Sequence, residues 1–247
     1  MAAMSGVAVE FRDVSFATGA APARVDGLSL AIAAGETLVL LGRSGSGKTT
    51  TLKLINALLM PTRGEVRVGG RSTGECDAVT LRRNTGYVIQ EGGLFPHFDV
   101  RRNVAMVPTL LGWPAERIRA RVDELLDLVG LDPQTYARRY PDELSGGQRQ
   151  RVGVARALAA DPPLVLMDEP FGALDPPTRE EIRGEFRALA RGLGKTIVFV
   201  THDLREALAL ADRIALLAAG QLVFLGAGRD LAGSSEPEAR AFARTLD

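Results

Sequence analysis

The sequence predicts an α/β fold: buried parallel strands that end in chemically loaded loops, with an antiparallel β portion and a helical insert. Three observations carry this. Apolar runs recur at Leu38 to Leu41, Leu164 to Met167 and Thr196 to Thr201, and continuous apolarity over so few residues marks strands covered on both faces. Each run leads directly into a glycine, a carboxylate pair or a histidine: Gly42, Asp168 with Glu169, and His202. Between the first two runs, residues 99–142 switch to helical periodicity and polar composition.

Taken in order, segments 7–11 and 28–32 read as strands. Leu38 to Leu41 is a parallel strand. Residues 49–59 form a helix, with Leu52, Ile55 and Leu59 at helical spacing and Pro61 as its stop. Segment 64–68 returns to strand and joins an antiparallel sheet. Gly86, Tyr87, Val88 and Ile89 make an apolar stretch ending at Gln90. Ile118, Val122, Leu125, Leu126 and Val129 share one helical face, with Gly130 as its cap. Ser145 opens a further helical run through Val152, Ala155 and Leu158. Beyond Pro176 and Pro177, Thr178 and Glu181 stand at capping-box spacing for a helix over 178–192. A short helix at 205–211, a hairpin over 214–225 turning at Ala219, Gly220 and Gln221, and a helix at 237–246 complete the chain. There is no internal repeat.

The chemistry begins with Gly42, Arg43, Ser44, Gly45, Ser46, Gly47, Lys48 and Thr49, set between a strand and a helix. Glycines let backbone N–H groups approach phosphates, and the helix N-terminus adds a favourable field. Lys48 reaches the β- and γ-phosphates and Thr49 ligates Mg²⁺. A second glycine-rich grip, Leu144, Ser145, Gly146, Gly147 and Gln148, stands far downstream. One γ-phosphate has little use for two distant grips, so two copies of the chain sharing two ATPs is the natural reading. Asp168 at a strand end suits a water-mediated Mg²⁺ contact, and Glu169 suits the base that polarises an attacking water. On an extended chain the two carboxylates face opposite sides. His202 suits donation to the γ-phosphate or orientation of the water, and the amide of Gln90 suits Mg²⁺ or the water. Each has a bland alternative: a glycine turn, solvated charges, a loop histidine, a strand-end amide. It is their company that favours function. His97 reads as a surface or partner contact.

These motifs, with Met167 to Pro170, Gly172 to Asp175 and Thr201 to Asp203 in the same order, resemble the ATP-binding subunit of an ABC transporter over most of the chain. The resemblance implies a P-loop NTPase core of ABC type with an antiparallel β subdomain and a helical subdomain at about 95–160. The nucleotide-binding domain spans 7–230, and 231–247 is a short tail. It implies ATP and Mg²⁺ as cofactors, with nucleotide contacts from residues 42–49, Thr50, Ser145, Gly146, Gly147, Gln148 and Asp175. Thr49, Gln90 and Asp168 serve the metal; Glu169, His202 and Gln90 serve catalysis. It further implies a head-to-tail homodimer, or a pair with a similar ATPase chain, in which the loop of one copy faces Ser145 and Gly147 of the other across ATP. Two transmembrane permease subunits place it on the cytoplasmic face of the membrane, with an extracytoplasmic solute-binding protein as an indirect partner.

Gly93 to His97 and Asn103 to Trp113 are similar to the importers of osmoprotectant quaternary amines: glycine betaine, choline and carnitine. Importers of methionine, other amino acids or lipids share parts of this pattern. Some positions depart from it. Thr18 occupies the place of an adenine-stacking aromatic, with Phe11 and Phe16 nearby, so weak base stacking and low preference for ATP over GTP are expected. Asp99 stands where a threonine is usual and Pro177 where a branched apolar residue is usual. No regulatory pair of cystathionine-synthase-type repeats is expected. Phe95, Pro96, His97 and Phe98 are read as part of a groove for a cytoplasmic helix of the permease.

Composition narrows the rest. Thirty basic and thirty acidic side chains cancel, leaving no broad footprint for nucleic acid. The single Cys76 forms no intrachain disulfide. The start lacks a signal-peptide pattern, and the apolar stretch 214–225 is too short to span a bilayer. A DNA-acting ABC protein needs a long coiled coil between its grips, a translation-type one needs two such domains in a chain, and a simple P-loop kinase leaves 144–148 unexplained.

Overall fold

The computed structural model describes residues 6–19, 22–90, 93–172 and 194–244, with positions 177, 179, 180, 184 and 192. The chain divides into two compact units. One is built from residues up to Arg82 and from Gly194 onward, the other from Arg83 to Leu193.

In the first unit β1 (Val7–Phe16) pairs antiparallel with β2 (Val25–Ala33) and with β4 (Arg63–Val68), and β5 (Arg71–Ser72) pairs with β4. Alternation builds this sheet: Leu28, Leu30 and Ile32 are buried while Ser29 and Ala31 are exposed. Both opening strands run longer than the apolar cores at 7–11 and 28–32 that announce them. β3 (Thr37–Leu41) lies between β8 (Thr196–Thr201) and β9 (Arg213–Ala218), parallel to each. Leu38 to Leu41 have no exposed surface, as strands covered on both faces require. β10 (Gln221–Gly226) returns antiparallel along β9. Its turn is the pair Ala219 (φ 48°) and Gly220 (φ 83°), the left-handed pair that matches hairpin twist; Gln221 already belongs to the strand.

Helix α1 (Lys48–Ile55) stops short of the predicted Leu59, and Pro61 is not what stops it. Ala57 turns left-handed (φ 53°), and the N–H groups of Leu58 and Leu59 donate to the carbonyl of Lys53, a local cap for the last turn. After β8, the helix Leu204–Leu210 begins at an Asp203 cap, and a C-terminal helix covers Pro237–Ala243.

Helix α2 (Ala78–Arg83) follows β5 in the chain. The second unit holds a parallel pair, β6 (Thr85–Val88) and β7 (Leu164–Asp168). Its helices are α3 (Val100–Leu110), α4 (Ala115–Leu128), α5 (Pro133–Tyr136) and α6 (Gly146–Leu158). Helices α3, α4 and α6 pack on one another through Val100, Val104, Val122, Leu125, Leu126, Val152, Ala155 and Leu158, all essentially buried. Gly130 caps α4 with φ 70°, and α6 starts from Ser145, both as the sequence predicts. The expected helix over 178–192, with Thr178 and Glu181, lies outside the described residues apart from isolated positions. Among the described residues no helix is long and apolar enough to cross a membrane.

Phe95, His97 and Phe98 form a ring cluster with centroids 4.5–6.0 Å apart. The cluster is not core: Phe95 is 40% exposed. Asn103, fully buried on α3, donates through Nδ2 to the carbonyls of Phe95, Phe98 and Asp99 and accepts from the Phe95 N–H. Asp99 caps α3 by accepting from Arg102 N–H at 2.7 Å, so the acid preserves the capping role that a threonine would fill. Asn103→Ala should lower stability by about 2 kcal/mol, because several bonds to one buried amide are lost together. Urea unfolding checks the magnitude, and faster amide exchange at Phe95 and Phe98 checks the location.

Candidate nucleotide site

Loop 42–47 leaves β3 and enters α1 with Gly47 at φ 103°. A side chain there would meet the Arg24 carbonyl at 2.4 Å, and one at Gly42 would meet the Leu217 carbonyl at 2.4 Å. These glycines are therefore required by the walls behind the loop as well as by any ligand in front of it. Gly45 (φ 80°) has nothing within 4 Å of where a Cβ would stand. Lys48 is only 4% exposed, and its Nζ donates to the carbonyls of Gly42 (2.7 Å) and Arg43 (2.9 Å). Ser46 Oγ is buried with no hydrogen-bond partner among the described residues. A buried ammonium, an unsatisfied hydroxyl and a helix N-terminus fit a polyphosphate, which would supply the acceptors and the countercharge. Thr49 is half-buried and Thr50 buried at the start of α1; Arg43 and Ser44 are exposed.

In the same unit, the β3–β8 register pairs Leu41 with Thr201, so Gly42 and His202 leave neighbouring strand ends. His202 is exposed. Its loop is tied from behind: Thr201 Oγ1 donates to buried Glu206 at 2.5 Å, Asp203 N–H donates to Thr201 Oγ1, and Asp203 caps the following helix.

In the second unit β6 and β7 pair Val88 with Met167, which sets Gln90 and the carboxylates beyond adjacent strand ends. Gln90 is exposed in a turn after Ile89. Asp168, 6% exposed, ends β7. Glu169 does not continue an extended chain, contrary to the sequence reading. Its φ is 43°, and its carbonyl accepts from Gly172 N–H. A turn rather than strand alternation separates the two carboxylates, and a left-handed residue without glycine stores strain of the kind found at working sites. Tyr87 stands 3.5 Å from Asp168 Oδ2. Burial first, then the Asp168 charge, push its hydroxyl well above the usual range, so it stays a donor.

Ser145 and Gly146 are exposed at the head of α6, while Gly147 is buried and Gln148 half-buried. Ser145 and Gln148 form a reciprocal capping box, and Gln148 also donates to Tyr136. At the other end of α6, Arg156 donates to the Gly93 carbonyl at 2.8 Å; burial lowers its pKa. Asp175 lies outside the described residues.

Tyr87 and Glu206 went unnoticed in the sequence. Glu206 had a signal, since Asp203 and Glu206 stand at capping-box spacing. Tyr87 had none, because its proximity to Asp168 depends on strand register. Thr18 is exposed, and Phe11 and Phe16 are buried at 2% and 8%, so both rings belong to the sheet's core rather than to a base. No group of three His, Cys, Asp or Glu side chains among the described residues could hold a metal. A nucleotide-borne Mg²⁺ needs only one or two protein oxygens, a demand that the hydroxyl of half-buried Thr49 suits.

A strand–loop–helix with glycines against backbone walls and a buried lysine defines a P-loop nucleotide-binding protein. The ABC transporter family profile matches residues 25–172, and the chain belongs to that family. It is 56% identical over 202 residues to the glycine betaine/carnitine/choline transport ATP-binding protein OpuCA of Bacillus subtilis, covering 82% of this chain and 53% of that one. It is 51% identical over 218 residues to the glycine betaine uptake system ATP-binding protein YehX of Escherichia coli, covering 88% and 70%. The chain thus spans about half the length of several curated relatives it matches. Its fold is that of the ATP-binding cassette MJ0796, solved as a dimer in a post-hydrolysis state bound to ADP and Pi, with a TM-score of 0.79 at 34% identity over 90% of this chain and 99% of that one.

Ser145→Ala should cost about 1 kcal/mol of stability by removing the α6 cap, whereas Ser145→Asp, an equally good cap, should preserve it; urea midpoints decide between them.

Proposed function

We propose that this chain binds and hydrolyses ATP as the energy-supplying subunit of an importer for quaternary-amine osmoprotectants such as glycine betaine, choline and carnitine. The observation that carries this reading is 51–56% identity to ATP-binding proteins named for those solutes. The chain works as a homodimer, or paired with a similar ATPase chain, and docks on two permease subunits at the cytoplasmic face of the membrane. A solute-binding protein delivers cargo on the far side.

Loop 42–49 holds the β- and γ-phosphates, with Lys48 exchanging its loop carbonyls for phosphate oxygens. Thr49, Gln90 and Asp168 hold Mg²⁺, which supplies charge neutralisation at the phosphates. Glu169 accepts the proton of the attacking water, and His202 donates to the γ-phosphate. Ser145, Gly146, Gly147 and Gln148 of one copy present the α6 N-terminus to the nucleotide of the other, and Asp175 couples the two sites. Closure around ATP and reopening after hydrolysis move the permease. With no aromatic at position 18, the base contributes little and preference for ATP over GTP is low.

Lys48→Ala should weaken nucleotide binding at least ten-fold, about 1.4 kcal/mol or more, measured with a fluorescent nucleotide. Glu169→Gln should retain binding, lose at least about a hundred-fold in turnover, and accumulate as a dimer with ATP in size-exclusion chromatography; near-normal turnover removes Glu169 from the role of base. In the complete transporter, ATPase rate should rise with glycine betaine or choline and not with methionine. Stimulation by methionine reassigns the solute and leaves the family membership intact.

A further inference from the structure

Besides the Leu217 carbonyl against Gly42, three contacts tie the phosphate loop to other parts of its own unit. Two are made by backbone. Gly220 N–H, in the β9–β10 turn, donates to the Ser46 carbonyl at 3.2 Å, and the Arg24 carbonyl stands where any side chain at Gly47 would have to go. The third is charged: Arg43 Nε donates to Glu238 Oε1 at 2.6 Å. It links the loop to the C-terminal helix Pro237–Ala243, a segment that no part of the proposed mechanism uses.

The pair is not the only contact that places either partner. The backbone contacts already shape the loop. The helix is anchored independently through Ala239, fully buried, and Phe242, 8% exposed. Glu238 lies in the first turn of that helix, where the dipole favours an acid whether or not Arg43 is present. The result is a fixed carboxylate beside a phosphate-binding loop, occupying a guanidinium whose own side chain is 71% exposed and otherwise open to an incoming anion.

We propose that Glu238 is a built-in electrostatic brake on nucleotide binding: its carboxylate competes with the phosphates for Arg43 and repels them. This rests on loop 42–49 being the nucleotide site. Linkage makes the effect reciprocal: a bound polyphosphate draws Arg43 away and loosens the tie to the C-terminal helix. A partner or chain segment that shifts this helix would therefore change nucleotide affinity without touching the loop.

The test is Mg·ADP affinity of the full chain, read with fluorescent ADP, for the parent, Glu238→Gln, Glu238→Asp and Glu236→Gln. Glu238→Gln should bind about three-fold more tightly at low ionic strength, the scale of one exposed charge interaction. The gain should vanish near 1 M salt, where screening acts over about 3 Å. Glu238→Asp should stay close to the parent because it keeps the charge. Glu236→Gln, the same charge change two residues earlier, should have a smaller effect. Unchanged or weaker binding by Glu238→Gln overturns the brake, as does an equal gain in Glu236→Gln. If the parent itself binds no Mg·ADP, the nucleotide-site reading has failed, and the brake falls with it; parent binding with an unresponsive Glu238 variant sinks the brake alone.

Discussion

The buried ammonium of Lys48 is the constraint around which the first unit is organised. A lysine at 4% exposure can remain charged only if acceptors surround it, and the carbonyls of Gly42 and Arg43 provide them. To turn those carbonyls inward the chain must curl tightly between β3 and α1, with no side chains at Gly42 and Gly47. It must also rest on rigid backbone at Arg24, Leu217 and Gly220. Those walls belong to the β1–β2 connection and the β9–β10 hairpin, so both sheets of this unit contribute to the position of one amine. The parallel core β8–β3–β9 then acts as the anvil: the four fully buried β3 positions Leu38 to Leu41 cannot shift without opening the interior.

The second unit solves a different problem. Asp168 and Glu169 sit at the end of a two-strand parallel pair, and Ser145 and Gly146 are exposed at the head of its helix α6. Polar side chains satisfy backbone at each junction: the Ser145–Gln148 box at the head of α6, Arg156 on Gly93 at its tail, and Asp99 and Asn103 where α3 begins.

Most of the architecture was readable because its signals are local. Continuous apolar runs gave β3, β7 and β8, helical spacing gave α4 and α6, and the break at Ala219, Gly220 and Gln221 between apolar arms gave the hairpin. What was not readable depends on contacts between distant residues or on single dihedral angles. Nothing in the letters around Ala57 announces a left-handed residue that ends α1 early, and Glu169 looked like one more residue of a strand. The pairing of Arg43 with Glu238 joins opposite ends of the chain, and Tyr87 finds Asp168 only through strand register. The motif residues themselves stood out, since glycine, lysine and paired acids at strand ends carry their chemistry in their composition. Asp175 and the helix over 178–192 lie outside the described residues.

Asn103 has a mechanical consequence. One side-chain amide grips both ends of the turn that carries the aromatic cluster, and it is itself locked into α3. The backbone that carries the rings is therefore tied to the helix. Phe95 is linked in this way to α3, which packs on α6 through a shared apolar seam. Within this unit the cluster therefore stands at one end of a continuous run of contacts whose other end is the helix that Ser145 caps.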